Sequence, residues 1–132
     1  MAREAQLRYY VDADLLGIAK LLVQLRADVT YPGDPGGVGV DKRRRPACPV
    51  SSTDVKDVDW IPVVASFGWT ILTRDGRISR LPQERQAVRD HGAKMVVVGG
   101  GVPNAKLRKW DQLEVIFTQW RRIEALADLP GP

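Results

Sequence analysis

The chain has 132 residues, a length that suits one domain with a single hydrophobic core. Apolar residues make up 44% and charged residues 27%, as in ordinary globular proteins, and no apolar run approaches the roughly 20 residues of a membrane span. With one cysteine and one histidine, the sequence excludes an intramolecular disulfide and a Cys/His zinc site, so any metal ion would be held by carboxylates.

The net charge of +4 is compatible with a polyanionic partner, although surface lysine and arginine commonly serve solubility. The basic residues are most concentrated at Lys42, Arg43, Arg44 and Arg45. This cluster suits either a solvated loop or a contact with phosphates or an acidic partner. Residues 1–8 are charged and lack the apolar core of a signal peptide, which predicts a cytoplasmic protein without a membrane partner.

The first half of the chain predicts a strand, a helix and a second strand, at residues 7–11, 14–26 and 27–31. The helix carries one apolar stripe: Leu15, Ile18, Leu22 and Leu25. Residues 32–53 follow and are rich in glycine, proline and charge. A connection of this length inside a compact domain predicts a functional or mobile loop.

The second half predicts three helices and two strands. The helices cover 57–68, 81–92 and 104–128, and the strands cover 69–73 and 93–100. Pro62 complicates the first of these helices, because proline fits best in the first helical turn. The last helix has apolar residues at a helical period, which predicts that they form its core face: Leu107, Trp110, Leu113, Phe117, Trp120 and Ile123.

Alternation of strands and helices predicts a single α/β domain over residues 1–132, a three-layer α/β/α sandwich with a mostly parallel sheet of four to five strands. In such folds, functional sites gather beyond the C-terminal ends of the strands. Acidic residues stand at these positions: Asp12 and Asp14 follow the first strand, and Asp75 follows the strand at 69–73. Asp57 and Asp59 open the helix between them.

Each acid also has an ordinary structural explanation. Asp14 and Asp59 are suitable helix caps, and Asp75 before a glycine could start a turn. Asp12 directly after an apolar strand is harder to explain in this way. Converging carboxylates cannot all ionise cheaply without a counter-charge, and Mg²⁺ or Mn²⁺ prefers such oxygen ligands. Carboxylates, metal ion and water are the usual equipment for cutting phosphodiester bonds.

The chain resembles the PIN-like nucleases, particularly the compact VapC-type toxins of toxin–antitoxin pairs. The resemblance covers about residues 8–98 and depends on three segments, YYVDADLL, DVDWI and TILTRDGRI. It implies a ribonuclease that uses Mg²⁺ or Mn²⁺, with Asp12, Asp57 and Asp75 as catalytic metal ligands. Relatives often carry Asp-Glu-Asn where this chain has Asp12-Ala13-Asp14, so Asp14 is a candidate substitute for the missing glutamate. Asp59 competes with Asp57 for the middle position, and Glu84 is a candidate fourth acid.

The resemblance assigns further roles to residues near the strand at 69–73. Thr73 is a candidate catalytic residue that holds a water molecule or the scissile phosphate. Arginine side chains suit phosphate oxygens, so RNA contacts are predicted for Arg74, Arg77 and Arg80 together with the basic cluster at 42–45. The implied partners are RNA, a cognate antitoxin protein and a second copy in a homodimer. The rival interpretation is a non-catalytic PIN-like module that binds RNA or protein.

Overall fold

The computed structural model describes residues 3–39, 42–74, 86, 89–98 and 109–128. Two short strands come first, β1 at Arg3–Glu4 and β2 at Tyr9–Val11, followed by a 3₁₀ turn at Ala13–Leu15. The remaining elements in chain order are α1 Leu16–Leu25, β3 Val29–Thr30, β4 Gly37–Val38, β5 Arg43–Arg45, α2 Asp57–Ser66, β6 Thr70–Thr73, β7 Lys94–Val97 and α3 Lys109–Ala127.

A four-stranded parallel sheet forms the centre of the molecule, with strand order β3-β2-β6-β7. The two middle strands, β2 and β6, are buried throughout, as expected for a parallel sheet covered on both faces. This arrangement confirms the predicted α/β class with a mostly parallel sheet. The strand at residues 27–31 and the strand at 93–100 both occur, although each is shorter than predicted.

Helices cover both faces of this sheet. On one face α1 and α3 pack together over Tyr9 and Val11 of β2. On the opposite face α2 packs over Tyr10 of β2 and Ile71 of β6. The alternation of neighbouring β2 residues between the two cores is the period-two pattern of a strand. It places the side chains of Tyr10 and Asp12 on the face that α2 covers.

The segment at 32–53 contains two strands, where the sequence predicted a loop. Strand β5 pairs in parallel with β1 and antiparallel with β4, forming a second, three-stranded sheet. Asp34, buried at the start of the segment, forms an ion pair with Arg45 and accepts a hydrogen bond from Thr30. These strands escaped prediction because they are short and carry glycine and arginine instead of an apolar pattern.

Gly36 is required where this segment approaches β5. Its φ is +75°, and a Cβ there would clash with the carbonyl oxygen of Arg45. Glycine alone combines this backbone conformation with so close an approach between two backbone segments. The segment is therefore fixed both by a buried ion pair and by a backbone contact.

Helix α3 presents a face to the core that only partly coincides with the predicted one. Trp110 is 74% exposed and Phe117 is 53% exposed, whereas Ile116 is fully buried. Ile123 is buried as predicted, whereas the other buried residues of the inward stripe were not predicted: Gln112, Ile116 and Ala127. Leu113 and Trp120 are partly buried as predicted, and Leu107 lies outside the described residues. On α1, Leu25 is 59% exposed and does not continue the buried stripe.

Pro62 lies inside α2 and does not displace its start from Asp57. The carbonyl oxygen of Lys56 accepts hydrogen bonds from the backbone N–H groups of Asp59 and Trp60, at 2.9 and 3.0 Å, so the first turn is tightened. Of the helix predicted at 81–92, residues 86 and 89–91 are helical and most others lie outside the described part. Within the described residues, no helix is long and apolar enough to cross a membrane.

Candidate active site

The C-terminal ends of β2 and β6 form the floor of the candidate site. In their parallel pairing Val11 lies beside Leu72, and the backbone N–H of Asp12 donates to the carbonyl of Leu72 at 2.9 Å. Asp12 and Thr73 therefore emerge next to each other at the same edge of the sheet. The sequence predicted that these two strands end at one edge with Asp12 near Asp75; Asp75 itself lies outside the described residues.

The carboxylate of Asp12 is held on both oxygens. Oδ1 accepts a hydrogen bond from the N–H of Ala13 at 2.7 Å, and Oδ2 accepts one from the Thr73 hydroxyl at 3.0 Å. The first of these bonds caps the 3₁₀ turn that follows. With Asp12 only 7% exposed, its carboxylate is fixed in a largely dry position.

Asp14 folds back from the 3₁₀ turn onto the end of β6. Its Oδ2 accepts a hydrogen bond from the backbone N–H of Arg74 at 3.1 Å and lies 3.2 Å from the hydroxyl of Thr73, whose single proton Asp12 and Asp14 share. The interpretation of Asp14 as a cap of α1 is wrong, because the N-cap of α1 is Leu15 and no side chain caps that position. Asp14 instead contacts Thr73 and Arg74 at the end of β6, so it lies beside Asp12.

The two carboxylates raise the energy of each other's charged form. The hydroxyl of Thr73 carries a single proton and lies within hydrogen-bond distance of both. Burial, followed by the charge of Asp14, raises the pKa of Asp12 from 3.8 to about 6, against the lowering effect of the bonds from Ala13 and Thr73. The charge of Asp57 raises this pKa further.

Asp57 reaches the same region from α2. It is the first residue of the helix, is half-buried, and accepts a hydrogen bond from the indole Nε1 of Trp60 at 2.8 Å. Asp59 is exposed two positions later, where a helix turns its side chains to another face. Of the two candidates for the middle acid, Asp57 is the one whose charge acts on Asp12.

The described residues supply oxygen ligands but not a complete cage. Asp12 and Asp14 converge on Thr73, and a compact, like-charged pair of this kind suits a hard cation such as Mg²⁺ or Mn²⁺. Within the described ranges, no group of three or more His, Cys, Asp or Glu residues is close enough to hold a metal ion. Asp75 and Glu84, which the sequence analysis proposed as ligands, lie outside those ranges.

The basic cluster at 42–45 does not form one RNA-binding patch. Arg45 is buried against Asp34 and the carbonyl of Val29, so its predicted contact with RNA is wrong: its charge already has a buried partner. Arg43 lines a cavity of about 360 Å³ with Arg8 and Arg26. Those two residues lie at the N-terminal ends of the strands, at the opposite edge of the sheet from Asp12.

The other basic residues have separate positions. Lys42 and Arg44 are exposed and remain available to a polyanion. Arg74 is half-buried at the end of β6, next to the acids. Arg77 and Arg80 lie outside the described residues. Among the predicted RNA contacts in the described part of the chain, Arg74 is the residue that lies at the candidate site.

Two aromatic residues that support the acids, Tyr10 and Trp60, were not predicted from the sequence as part of the site. Trp60 binds Asp57 as described, and its ring contacts that of Tyr10, with centroids 4.8 Å apart. Tyr10 is fully buried two residues before Asp12 on the same face of β2. The spacing of Asp57 and Trp60, three residues apart in a helix, is the sequence signal that indicates such a pair.

Comparison with known proteins gives one match. Residues 37–100, just under half of the chain, match the sequence model of a family described as PIN like domain. The matched segment contains Asp57 and Thr73, whereas Asp12 and Asp14 precede it. No curated protein and no solved structure matches the chain. The family match and the mostly parallel sheet flanked by helices together support a PIN-like domain in this protein.

Proposed function

We propose that this protein is a ribonuclease that hydrolyses phosphodiester bonds with Mg²⁺ or Mn²⁺ held by carboxylates. The observation that carries the proposal is the convergence of Asp12 and Asp14 on the hydroxyl of Thr73 at the ends of two parallel strands. The charge of Asp57 acts on the same place. The match to PIN-like domains supports nuclease chemistry for such a set of acids.

Asp12 and Asp14 are the described residues that converge and would hold the ion. Asp57, which does not form one cluster of ligands with them among the described residues, and Asp75 are the proposed further ligands. Glu84 is a further candidate, whereas the exposed Asp59 is left out of the proposed ligand set. When bound, a divalent cation activates water for attack on phosphorus and offsets the charge of the leaving oxygen. The mutual repulsion that raises the pKa of Asp12 is the feature that a bound cation would relieve.

Thr73 has a positioning role in this proposal. Its hydroxyl lies 3.0 Å from Asp12 and 3.2 Å from Asp14, so it keeps both carboxylates at the end of β6. The backbone N–H of Arg74 holds Asp14 from the same strand end. Burial of Asp12 excludes water from one side of the site, which strengthens electrostatic interactions there.

The biological setting is also part of the proposal and depends on the resemblance to VapC-type toxins. We propose that RNA is the substrate, that the protein acts in the cytoplasm, and that a cognate antitoxin covers the acidic site. A homodimer is the proposed oligomeric state. Co-purification with the product of an adjacent reading frame and the molar mass in solution would test these two partners separately.

RNA cleavage with Mn²⁺ by the purified protein, free of any partner, is the test of the proposed activity. We expect Asp12→Asn and Asp57→Asn to lose at least a hundredfold in rate and EDTA to abolish cleavage. Asp59→Asn is the matched control, since it removes the same charge from an exposed position on the same helix. Equal loss from both helix variants would contradict the assignment of Asp57.

A negative result would also be informative. Absence of cleavage together with absence of Mn²⁺ binding by calorimetry would overturn the proposed activity. Binding of RNA without metal or cleavage would favour the non-catalytic PIN-like module, which shares the fold but not the chemistry.

A further inference from the structure

Trp60 forms a direct connection between Asp57 and the protein interior. Its indole Nε1 donates to Oδ1 of Asp57 at 2.8 Å, and the tryptophan is only 2% exposed. An indole nitrogen can donate but cannot accept, so the bond requires Asp57 as the acceptor. A buried donor of this kind would be left unsatisfied if the carboxylate turned away, which costs free energy.

The orientation of the indole is fixed by β2. The rings of Tyr10 and Trp60 have centroids 4.8 Å apart and planes inclined by 31°. Tyr10 is fully buried and lies on the same face of β2 as Asp12. The aromatic pair therefore links the strand that carries one acid to the helix that carries another.

We infer that Trp60 is a positioning residue for the proposed metal centre, and that its indole N–H holds Oδ1 of Asp57 while the other oxygen is left for the cation. This inference rests on the proposed function. A carboxylate already fixed on one oxygen loses less freedom when it ligates an ion, so binding is tighter. Residues that orient metal ligands in this way commonly change metal affinity by ten- to a hundredfold.

Calorimetric titration with Mn²⁺ tests the inference without measuring activity. Trp60→Phe keeps the ring but removes the N–H, and we expect Mn²⁺ affinity about tenfold weaker than in the wild type. Trp69→Phe is the matched control: Trp69 is 7% exposed and stacks on Phe67 at the other end of β6, so its affinity should be unchanged. Trp60→Phe added to Asp57→Asn should cause no further loss.

The outcomes separate this inference from the proposed function. Wild-type Mn²⁺ affinity in Trp60→Phe would overturn the inference and leave the ribonuclease proposal intact. The same conclusion would follow if Trp60→Phe weakened Mn²⁺ binding equally in the wild type and in Asp57→Asn. Absence of Mn²⁺ binding by the wild type would overturn both.

A second measurement needs no variant to fold. In nitrogen–proton spectra of the wild type, the indole N–H signal of Trp60, assigned through space, should shift on addition of Mg²⁺. The signal of Trp69 should remain still. A stationary Trp60 signal during saturable Mg²⁺ binding would overturn the inference.

Discussion

Replacement of Asp12 by asparagine should stabilise the metal-free protein. The side-chain oxygen of the asparagine can still accept a hydrogen bond from the N–H of Ala13. Its NH₂ group can donate to the oxygen of Thr73, whose hydroxyl proton is then donated to Asp14. The variant therefore retains the contacts of Asp12 and removes only the buried charge. The same substitution should abolish cleavage, so stability and activity change in opposite directions.

The size of the effect follows from the pKa of Asp12, which rises from 3.8 to about 6 in the folded protein. Since the folded pKa is the higher one, ionisation costs more in the folded state than in the unfolded state. The cost is absent well below pH 3.8, grows as the pH rises and is complete above pH 6. At roughly 1.4 kcal/mol per pK unit, it reaches about 3 kcal/mol at pH 7.5 and about 1 kcal/mol at pH 4.5.

Urea unfolding in EDTA at these two pH values measures the difference. We expect Asp12→Asn to be more stable than the wild type at pH 7.5, with the advantage falling by about 2 kcal/mol at pH 4.5. Asp54→Asn, which removes an exposed carboxylate, controls for net charge and should show little change at either pH. A variant less stable than the wild type at pH 7.5, or an advantage that does not shrink in acid, would refute the reasoning.

Three further substitutions test the packing around the site. Asp34→Asn leaves a buried arginine without its counter-charge and should lower the free energy of unfolding by about 3–5 kcal/mol in urea titrations; a change below about 1 kcal/mol would contradict a buried pair. Gly36→Ala should lower the free energy of unfolding by about 2 kcal/mol or more. The loss should exceed that of the control Gly68→Ala, which also has a positive φ but where a Cβ meets nothing within 4 Å. Equal losses would show that the positive φ, and not the backbone clash, determines the effect. Ile116→Ala should lower the free energy of unfolding by about 2–5 kcal/mol, whereas Trp110→Ala should change it by no more than about 0.5 kcal/mol. A larger loss from Trp110→Ala than from Ile116→Ala would show that Trp110 belongs to the core face of α3, as the sequence predicted.

The alignment of β2 with β6 could be predicted from sequence because both strands are apolar runs that end in polar residues. A parallel sheet brings such ends to one edge, so the proximity of Asp12 and Thr73 follows from local pattern alone. The contact of Asp14 with Thr73 could not be predicted from the sequence, because an aspartate at this position suits a helix cap equally well. Only the path of the 3₁₀ turn distinguishes the two.

Other features depend on tertiary context that periodicity does not contain. On α3, apolar residues occur on more than one stripe, and packing against α1 selects Ile116 while leaving Trp110 exposed. Arg45 belonged to a run of like charges that normally indicates a solvated face, yet Asp34 compensates its charge in the interior. The sequence pattern indicated Asp12, Asp14 and Asp57 as candidates but not the tryptophan that binds Asp57, since a tryptophan in a helix is most simply a core residue.

The pairing of β2 with β6 also has a consequence for the timing of synthesis. Asp12 and Asp14 leave the ribosome about 60 residues before Thr73, and the pairing that joins them cannot form until both strands have emerged. Contacts between such distant parts of a chain form late in folding, because a long loop must close first. A nascent chain that has exposed only its N-terminal half therefore carries Asp12 and Asp14 without Thr73, and the contact between them forms late in translation.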